Sequence, residues 1–412
     1  MRRRLWVASE LYYPEETSTG YFLTAIAEGL TGSYEVRAIA GRPGYDKLGT
    51  AAAQRERHHC VDIYRLPGVN GGKDRLIRRG LNLIVFAVAA FLFALRHFRR
   101  GDLALVVTNP PALPFAIYAA AKLRGAKTVL LVHDVYPDIL AATKFLRRAT
   151  LLYRLLDGVF AGLLRRCDRV VVLGRDMREL LAAKMGDRAS RLTVIPNWAD
   201  VELVTPATRD ANPLRAELGL NGKFVVQVSG NIGRTHDLDL ILEVAAVLRE
   251  NEAVRFLLVG QGGKLASIDA AIKARGLANV AVLPRQPRDR LAAMLTCSDL
   301  TIIPFVDDMF GLSVPSRMYN IMAAGVPIAA VADARSELAL VVTETGCGWV
   351  VSPGDDNSLA NLINSLATAA ATEARRRGDA GRHASEVHHS FDRVITMYAA
   401  LFSLLTDDFA QS

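Results

Sequence analysis

Cysteine is scarce in this sequence of 412 residues, and the four cysteines, Cys60, Cys167, Cys297 and Cys347, lie far apart. They form no Cys-x-x-Cys pair and have no histidine at the usual metal-binding spacing, which argues against a disulfide framework and against a zinc site. A chain with few cysteines suits the reducing cytosol. We therefore expect a cytoplasmic protein.

Long apolar runs are also missing. The sequence begins MRRRLWVASELYYP, where Glu10 ends the apolar stretch too early for a signal peptide. The most apolar segment, residues 81–95 (LNLIVFAVAAFLFAL), is shorter than the roughly 20 residues of a bilayer-spanning helix. Three interpretations stay open for it: a buried helix, a helix lying in the membrane interface, or a true span.

Positive charge exceeds negative charge, with a formal net charge of +8. Many basic residues flank or follow the apolar segment: Lys73, Arg75, Arg78, Arg79, Arg96, Arg99, Arg100, Lys144, Arg147, Arg148, Arg154, Arg165 and Arg166. Such an excess suits nucleic acid, anionic lipid or phosphorylated small molecules. Nucleic acid is disfavoured, because no nucleic-acid-binding module is recognisable and the basic residues are not interleaved with stacking aromatics. The basic and apolar character of the region near 73–100 predicts that it faces a membrane, while a buried helix at 81–95 stays open.

Strand-like and helix-like segments alternate along the chain. Predicted strands occupy 5–9, 35–39, 104–108, 128–134, 169–174 and 192–197, and, after a linker, 224–230, 254–262, 280–286, 300–305, 326–332 and 348–353. Near-continuous Val, Leu and Ile strands separated by helices indicate parallel sheets that are buried on both faces. We predict an α/β protein with Rossmann-like domains at 1–203 and 204–388, followed by an amphipathic helix within 389–412.

Ligands of such folds bind at the carboxyl ends of the strands. In the second half, polar, mostly glycine-bearing loops follow these ends: SGNIGRTHD, VGQGGK, PRQPR and PFVDDMFGLSVPSRMYN. Each alone is best interpreted as a tight turn, but together they predict a nucleotide-diphosphate site. The residues chosen from these loops are Gly230, Asn231, Arg234, His236, Gly260, Gly311, Leu312, Ser313, Ser316, Arg317 and Asn320. Backbone N–H groups and Arg317 would hold the diphosphate, and Asn320 the ribose.

Two loops of the first half supply further candidates. Thr17-Ser18-Thr19-Gly20 opens a helix, which is either an ordinary N-cap or an anion-binding turn. His133 ends a predicted strand beside Asp134. A histidine there is either a structural residue or a group that handles a proton or donates to a developing charge.

These motifs, in this order, resemble the retaining, nucleotide-sugar-dependent glycosyltransferases of family 4, which have the two-domain GT-B architecture. The markers are YYPEETSTGYF, HDVYPDI, VIPNWAD, SGNIGRTHD, VGQGGK and VPSRMYNIMAAGVPI, and they span nearly the whole chain. The chain is most similar to the branch that builds bacterial exopolysaccharide and lipid-linked glycans of the cell envelope. The resemblance also implies that the closing helix crosses back to pack on the first domain.

The resemblance implies roles for individual residues. Thr19 and Gly20 fall in the loop near the reacting centre, and His133 matches the histidine beside the transferred sugar. Asn231 and His236 stand where the family usually carries an Arg and a Lys for the diphosphate, and Arg285 falls in the loop that lines the base. Because His236 is only partly charged at neutral pH, Arg234 or Arg317 would supply the missing cation.

The implied reaction moves a sugar from a nucleoside-diphosphate sugar to a hydroxyl, with retention of anomeric configuration. The nucleotide sugar is a substrate, so no cofactor is expected. No metal is expected either, because Asp237-Leu238-Asp239 fits a helix start better than a metal motif. The acceptor is predicted to be a polyprenyl-diphosphate-linked glycan at the inner face of the plasma membrane, where the protein would associate peripherally. A nucleotide-sugar 2-epimerase and a non-catalytic nucleotide-sugar-binding partner remain as alternatives.

Overall fold

A computed structural model describes residues 2–43, 52–68, 76–208, 212–368 and 372–410 of the chain; for 76–81 and 407–410 only the backbone is described. The chain divides into two compact units. The first contains Met1–Ile139, Arg147–Pro196 and Asp392–Ser412, and the second contains Leu140–Leu146 and Asn197–Phe391. The boundaries differ from the predicted 1–203 and 204–388, since 140–146 and 197–203 belong to the second unit.

The first unit contains an eight-stranded sheet with the order β3-β4-β2-β1-β5-β6-β7-β8. Its strands are β1 Arg4–Ser9, β2 Glu35–Ala40, β3 Arg55–His58, β4 Val61–Arg65, β5 Leu103–Val107, β6 Lys127–Val132, β7 Arg169–Val172 and β8 Leu192–Val194. Every pairing is parallel except that of the edge hairpin β3–β4. The central strand β5 (LALVV) is buried at every position, which confirms the continuous apolar pattern of a parallel sheet covered on both faces.

Helices precede or connect most of these strands. They are α1 Ser18–Gly29, α2 Leu76–His97, α3 Leu113–Arg124, α4 Asp138–Ala142, α5 Leu151–Arg166 and α6 Arg175–Met185, with a 3₁₀ turn at Gly186–Arg191. The hairpin β3–β4 has no counterpart in the sequence prediction, because its strands are short and β3 (RERH) carries no apolar residue.

The second unit repeats the architecture with six strands in the order β11-β10-β9-β12-β13-β14. The strands are β9 Phe224–Asn231, β10 Val254–Gln261, β11 Val280–Leu283, β12 Leu300–Pro304, β13 Ile328–Val331 and β14 Gly348–Val351. Its helices are α7 Pro213–Glu217, α8 Leu238–Val247, α9 Leu265–Arg275, α10 Leu291–Thr296, α11 Arg317–Ala323, α12 Glu337–Thr345, α13 Asp356–Thr368 and α14 Thr372–His388. All pairings are parallel, so the loops that follow the strands share one edge.

The closing helix α15, Phe391–Ala410, packs on the first sheet's unit. The ring of Phe402 lies 5.9 Å from that of Tyr34, edge to face. Lys127 Nζ donates to the carbonyl oxygen of Leu405 at 3.1 Å. The last element of the chain is therefore part of the first domain, as the family resemblance implies.

The apolar segment 81–95 lies inside α2 and presents two different faces. Phe86, Ala90 and Ala94 are buried, while Ile84, Val88 and Leu92 are more than half exposed. Within the described ranges, no helix has both the length and the apolar character to cross a membrane. Of the predicted basic flank, Lys73 and Arg75 lie outside the described residues, as do the side chains of Arg78 and Arg79.

Candidate functional site

The carboxyl end of β9 and that of β10 approach each other more closely than side chains allow. Gly230 and Gly260 are paired across these strands. A Cβ atom on Gly260 would lie 1.9 Å from the carbonyl oxygen of Gly230, and Gly230 itself has a φ of +123°. Glycine is required at Gly260 because a side chain would overlap the neighbouring strand, and at Gly230 because of its positive φ. Gly260 therefore lets the backbones of β9 and β10 approach closely.

Substitution of Gly260 tests this packing. We expect Gly260→Ala to lower the free energy of unfolding by about 1–3 kcal/mol, because the new methyl group overlaps the backbone of β9. Gly263→Ala is the matched control, since nothing lies within 4 Å of a Cβ atom there. Urea denaturation measures both; equal stability of the two variants would contradict the proposed overlap.

Arg317, at the start of α11, carries the cation of the site. Its guanidinium donates to the carbonyl oxygen of Ser229 and, at 2.7 Å, to Nε2 of His236. Burial lowers the pKa of Arg317 to about 10, which leaves the group charged at neutral pH. Among the described residues, no carboxylate forms an ion pair with it. A desolvated cation with only neutral partners is a ready partner for an anion.

His236 does not carry the partial charge expected from the sequence. The side chain is only 6% exposed. Burial, together with the charges of Arg317 and Lys264, lowers the pKa of His236 well below its ordinary value of 6.5. Its Nδ1 lies 3.0 Å from the Thr235 hydroxyl, while Nε2 accepts from Arg317. The prediction of a partly charged histidine is wrong; His236 is neutral and orients the Arg317 guanidinium.

The loop before α8 is held by strand-like bonds and a helix cap. His236 forms an isolated bridge with Phe305, and the N–H of Asp237 donates to the carbonyl oxygen of Pro304 at 2.8 Å. The Asp237 carboxylate caps α8 by accepting from the N–H of Leu240 at 3.0 Å. Asp239 lies 3.8 Å from Nζ of Lys264. Asp237 and Asp239 thus fit the helix-start interpretation.

The 311–320 segment offers fewer free groups than the sequence suggested. The N–H of Leu312 donates to the carbonyl oxygen of Met309 at 3.1 Å, so it is not free for a phosphate, and this part of the prediction needs correction. Gly311 has a φ of +72°. The side-chain oxygen of Asn320 accepts from the N–H of Asp200 at 2.9 Å, so this oxygen is already engaged. The contact of Asn320 with a ribose stays a prediction. Ser313 and Ser316 are half-buried beside this turn.

Two predicted residues of the second unit lie at exposed positions near β9. Asn231 ends β9 and is exposed. Arg234 is also exposed, and its guanidinium lies over the ring of Phe145, 4.2 Å from the ring centroid. Arg285 follows β11, the edge strand, and is half-buried. Arg234 is therefore available at the surface, whereas Arg317 is fixed within the loop cluster.

A small cavity of about 10 Å³ connects several of these groups. Its lining is formed by Val228, Ser229, Gly230, Asn231, Ile232, His236, Leu238, Leu258 and Arg317. The volume is close to that of a single water molecule. Four of the predicted donor-binding residues, Gly230, Asn231, His236 and Arg317, therefore line the same cavity. They come from β9, from the loop that follows it and from α11.

The first unit brings together His133 and Thr19. Nδ1 of His133 lies 3.3 Å from the Thr19 hydroxyl, whereas its Nε2 is buried and has no hydrogen-bond partner among the described residues. Burial lowers the pKa of His133 to about 4, so the ring is neutral at physiological pH. The N–H of Gly20 donates to the Thr17 hydroxyl at 3.2 Å, which makes Thr17 an ordinary N-cap and removes that N–H from anion binding.

Sequence reasoning missed two residues that support these groups. Thr108 accepts hydrogen bonds from the N–H groups of His133 and Asp134, at 3.1 and 3.3 Å, and so fixes the end of β6. Lys264 is close enough to His236 to lower its pKa. Its position directly after Gly262-Gly263, at the start of a helix, was the available signal.

Comparisons with known proteins agree with this architecture. Residues 20–203 match the family described as Glycosyltransferase Family 4, and residues 210–384 match Glycosyl transferases group 1. The glycosyltransferase WbjE of Pseudomonas aeruginosa is 34% identical over 368 residues, covering 88% of this chain and 89% of WbjE. The colanic acid biosynthesis glycosyl transferase WcaI of Escherichia coli K12 is 29% identical over 355 residues, covering 83% and 86%.

A solved structure supports the fold. HepE of Anabaena, in complex with UDP and glucose, superposes with a TM-score of 0.74 at 16% identity, covering 98% of this chain and 100% of HepE. At that identity the likeness concerns the fold alone. The predicted two-domain GT-B architecture is confirmed. Similarity to WbjE over most of both chains, with both family matches, shows that this protein is a glycosyltransferase of family 4.

Proposed function

We propose that the protein transfers a sugar from a nucleoside-diphosphate sugar to a hydroxyl of a polyprenyl-diphosphate-linked glycan, with retention of anomeric configuration, in the synthesis of a bacterial surface polysaccharide. The observation that carries the proposal is Arg317, a charged guanidinium whose two protein partners, the Ser229 carbonyl and His236, are both neutral. A departing nucleoside diphosphate is the anion that would complete this arrangement.

The donor would be held without a metal ion. Asp237 is used as a helix cap and Asp239 lies beside Lys264, so neither carboxylate is arranged with the other as a ligand pair. Arg317 and Lys264 would supply positive charge where the diphosphate charge develops. With no carboxylate nucleophile predicted, retention would proceed by attack on the same face from which the diphosphate leaves.

The names of relatives guide the choice of substrates. HepE was solved with UDP and glucose, and WcaI is named for colanic acid biosynthesis. We therefore infer a uridine-type sugar donor and an acceptor that belongs to a surface polysaccharide. Both remain proposals for this chain.

The first unit supports a membrane-bound acceptor through exposed apolar side chains on α5. Leu151, Leu152 and Leu155 are each more than half exposed. Arg148 and Arg154 are exposed within or just before the same helix. Leucines flanked by arginines suit the interface of an anionic bilayer, where the apolar side chains enter and the guanidinium groups meet phosphates. Ile84, Val88 and Leu92 on α2 form a second exposed apolar stripe.

Removal of the α5 leucines tests this surface. We expect Leu152→Gln with Leu155→Gln to weaken sedimentation with vesicles rich in anionic lipid by at least about tenfold, because each leucine contributes about 1–2 kcal/mol when it leaves water. Val247→Asn is the matched control, since Val247 is a comparably exposed apolar residue of the second unit. If wild-type protein stays in the supernatant at low salt, the membrane part of the proposal fails.

A single assay tests the reaction. Purified protein is incubated with radiolabelled UDP- and GDP-sugars, with and without a polyprenyl-diphosphate-linked sugar, and products are separated. Lipid-dependent transfer with an unchanged anomeric configuration supports the proposal. An altered free nucleotide sugar without acceptor would identify a 2-epimerase. Binding without turnover of any donor would identify a non-catalytic partner protein.

A further inference from the structure

The VIPNWAD segment ends at Asp200, which begins a turn of the second unit at residues 200–204. The N–H of Val204 donates to the carbonyl oxygen of Asp200 at 2.8 Å and closes this turn. The N–H of Leu203 donates to Oδ1 of the Asp200 carboxylate at 3.3 Å. One carboxylate oxygen is therefore used within the turn itself, and the other reaches a different part of the unit.

Asp200 binds two elements that carry predicted donor-binding residues. Nη2 of Arg288, in the loop after β11, donates to Oδ2 of Asp200 at 3.0 Å. The N–H of Asp200 donates to the side-chain oxygen of Asn320 in α11 at 2.9 Å. Asp200 thereby connects the loop that contains Arg285 to the helix that begins at Arg317.

The sheet does not join these two elements directly. In the described sheet, β10 and β9 lie between β11 and β12, the strand that precedes α11, so three strand spacings or about 14 Å separate them. The loop after the edge strand β11 is therefore positioned relative to α11 by groups outside the sheet. Asp200 is such a group.

The turn is itself fixed to α11 by Arg382 of α14. The guanidinium of Arg382 donates to the carbonyl oxygens of Val204 at 2.7 Å and of Val201 at 3.2 Å. It also donates to the carbonyl oxygen of Ala323, the last residue of α11, at 2.9 Å. Hydrogen bonds from a charged donor are stronger than those from a neutral one. The carboxylate that holds Arg288 is therefore anchored to the same frame as α11.

The ion pair between Arg288 and Asp200 is more sheltered than its neighbour in the same loop. Its side chains are 27% and 23% exposed, whereas those of Arg290 and Glu217 are 43% and 57% exposed. Exposed pairs contribute little because water and salt screen them. The pair of Arg288 with Asp200 is thus the better anchor of the loop, and the pair of Arg290 with Glu217 offers a matched control.

We propose that Asp200 is a positioning residue for the nucleoside part of the sugar donor, which it serves by holding the loop after β11 at a set distance from α11. This inference rests on the proposed function, in which the base would lie at the loop of Arg285 and the ribose beside Asn320. A base and its ribose are covalently joined, so the elements that contact them must keep a matching separation. A site held in that geometry before binding loses less entropy when the nucleotide binds.

Calorimetric titration of the full-length protein with UDP and with inorganic pyrophosphate tests this role. Asp200→Asn keeps an oxygen for the N–H of Leu203 but removes the charge that Arg288 meets. We expect UDP affinity to fall about five- to tenfold, and KM for the donor to rise with kcat nearly unchanged. Affinity for pyrophosphate, which Arg317 would hold, should not change. Arg288→Gln should cause the same loss, and the double variant should lose no more than either single variant.

The control is Glu217→Gln, which breaks the exposed pair with Arg290 and should leave UDP affinity unchanged. The inference is overturned if Asp200→Asn binds UDP as wild type does, if the losses in Asp200→Asn and Arg288→Gln add, or if pyrophosphate affinity falls equally. Each of these results leaves the proposed function intact when wild-type protein binds UDP and transfers sugar. Wild-type protein that binds no UDP would overturn the inference together with the uridine-type donor.

Discussion

Arg317→Ala is expected to lower kcat/KM for sugar transfer by about 10²–10³-fold, the cost of losing one preorganised donor to a developing charge. Its guanidinium is held by the Ser229 carbonyl and by His236, so it is already oriented before substrate binds. Because its partners are neutral, its charge would be available to a bound diphosphate. Steady-state kinetics with the donor identified in the product assay measure the loss, and titration with the nucleoside diphosphate measures the accompanying loss of affinity.

Two further variants sharpen this test. Arg317→Lys keeps a positive charge but loses the planar fork that reaches both Ser229 and His236, so we expect an intermediate activity. Arg376→Gln is the control, because Arg376 is an exposed arginine of α14 paired with Glu373. Activity of Arg317→Ala equal to that of Arg376→Gln would remove Arg317 from the diphosphate site.

His133→Ala is expected to lower kcat by about 10²-fold or more, because the ring presents a buried Nε2 that none of the described protein groups satisfies. Thr19 holds the opposite nitrogen. A neutral ring so placed would donate to, or accept from, a sugar hydroxyl or the departing group, and would not act as a charged acid at physiological pH. His133→Gln, which retains a hydrogen-bonding amide, should recover part of the activity.

The pH profile distinguishes a neutral from a charged His133. A pKa near 4 means that the ring stays neutral as pH falls from 8 through 6.5, and takes up its proton only near pH 4. We therefore expect no loss of kcat/KM near pH 6.5 that depends on His133. An acid limb near pH 6.5 that disappears in His133→Gln would show that the histidine titrates normally.

The loops around Arg317 show why the predicted site needed revision. From the sequence, His236 was a partial cation and Leu312 a free backbone donor. Burial depends on what the rest of the chain packs around a side chain, and Phe305 and Arg317 come from distant segments. Sequence therefore selected loops that the fold places at one edge of a sheet, but it could not assign charge to His236 or availability to individual N–H groups.

The fold class and the positions of most strands follow from the chain's own pattern. Buried parallel strands require near-continuous Val, Leu and Ile, and this requirement is visible in β5 or β12 without any partner. The hairpin β3–β4 was not predicted because its strands are short and β3 carries no apolar residue. The family motifs likewise lie in contiguous segments, so the resemblance to family 4 glycosyltransferases is visible in the sequence before the chain is folded.

Contacts between distant residues could be read only from the folded chain. Ser229 and Arg317 converge because two separate strands end at one edge of the same sheet. Glu28 meets His58 and His59 because α1 and an edge hairpin pack side by side. A short stretch of sequence determines only its own periodicity. The burial of a charged side chain and the distances between charged groups depend on residues that are far apart along the chain. The chemistry of a site depends on both of these quantities.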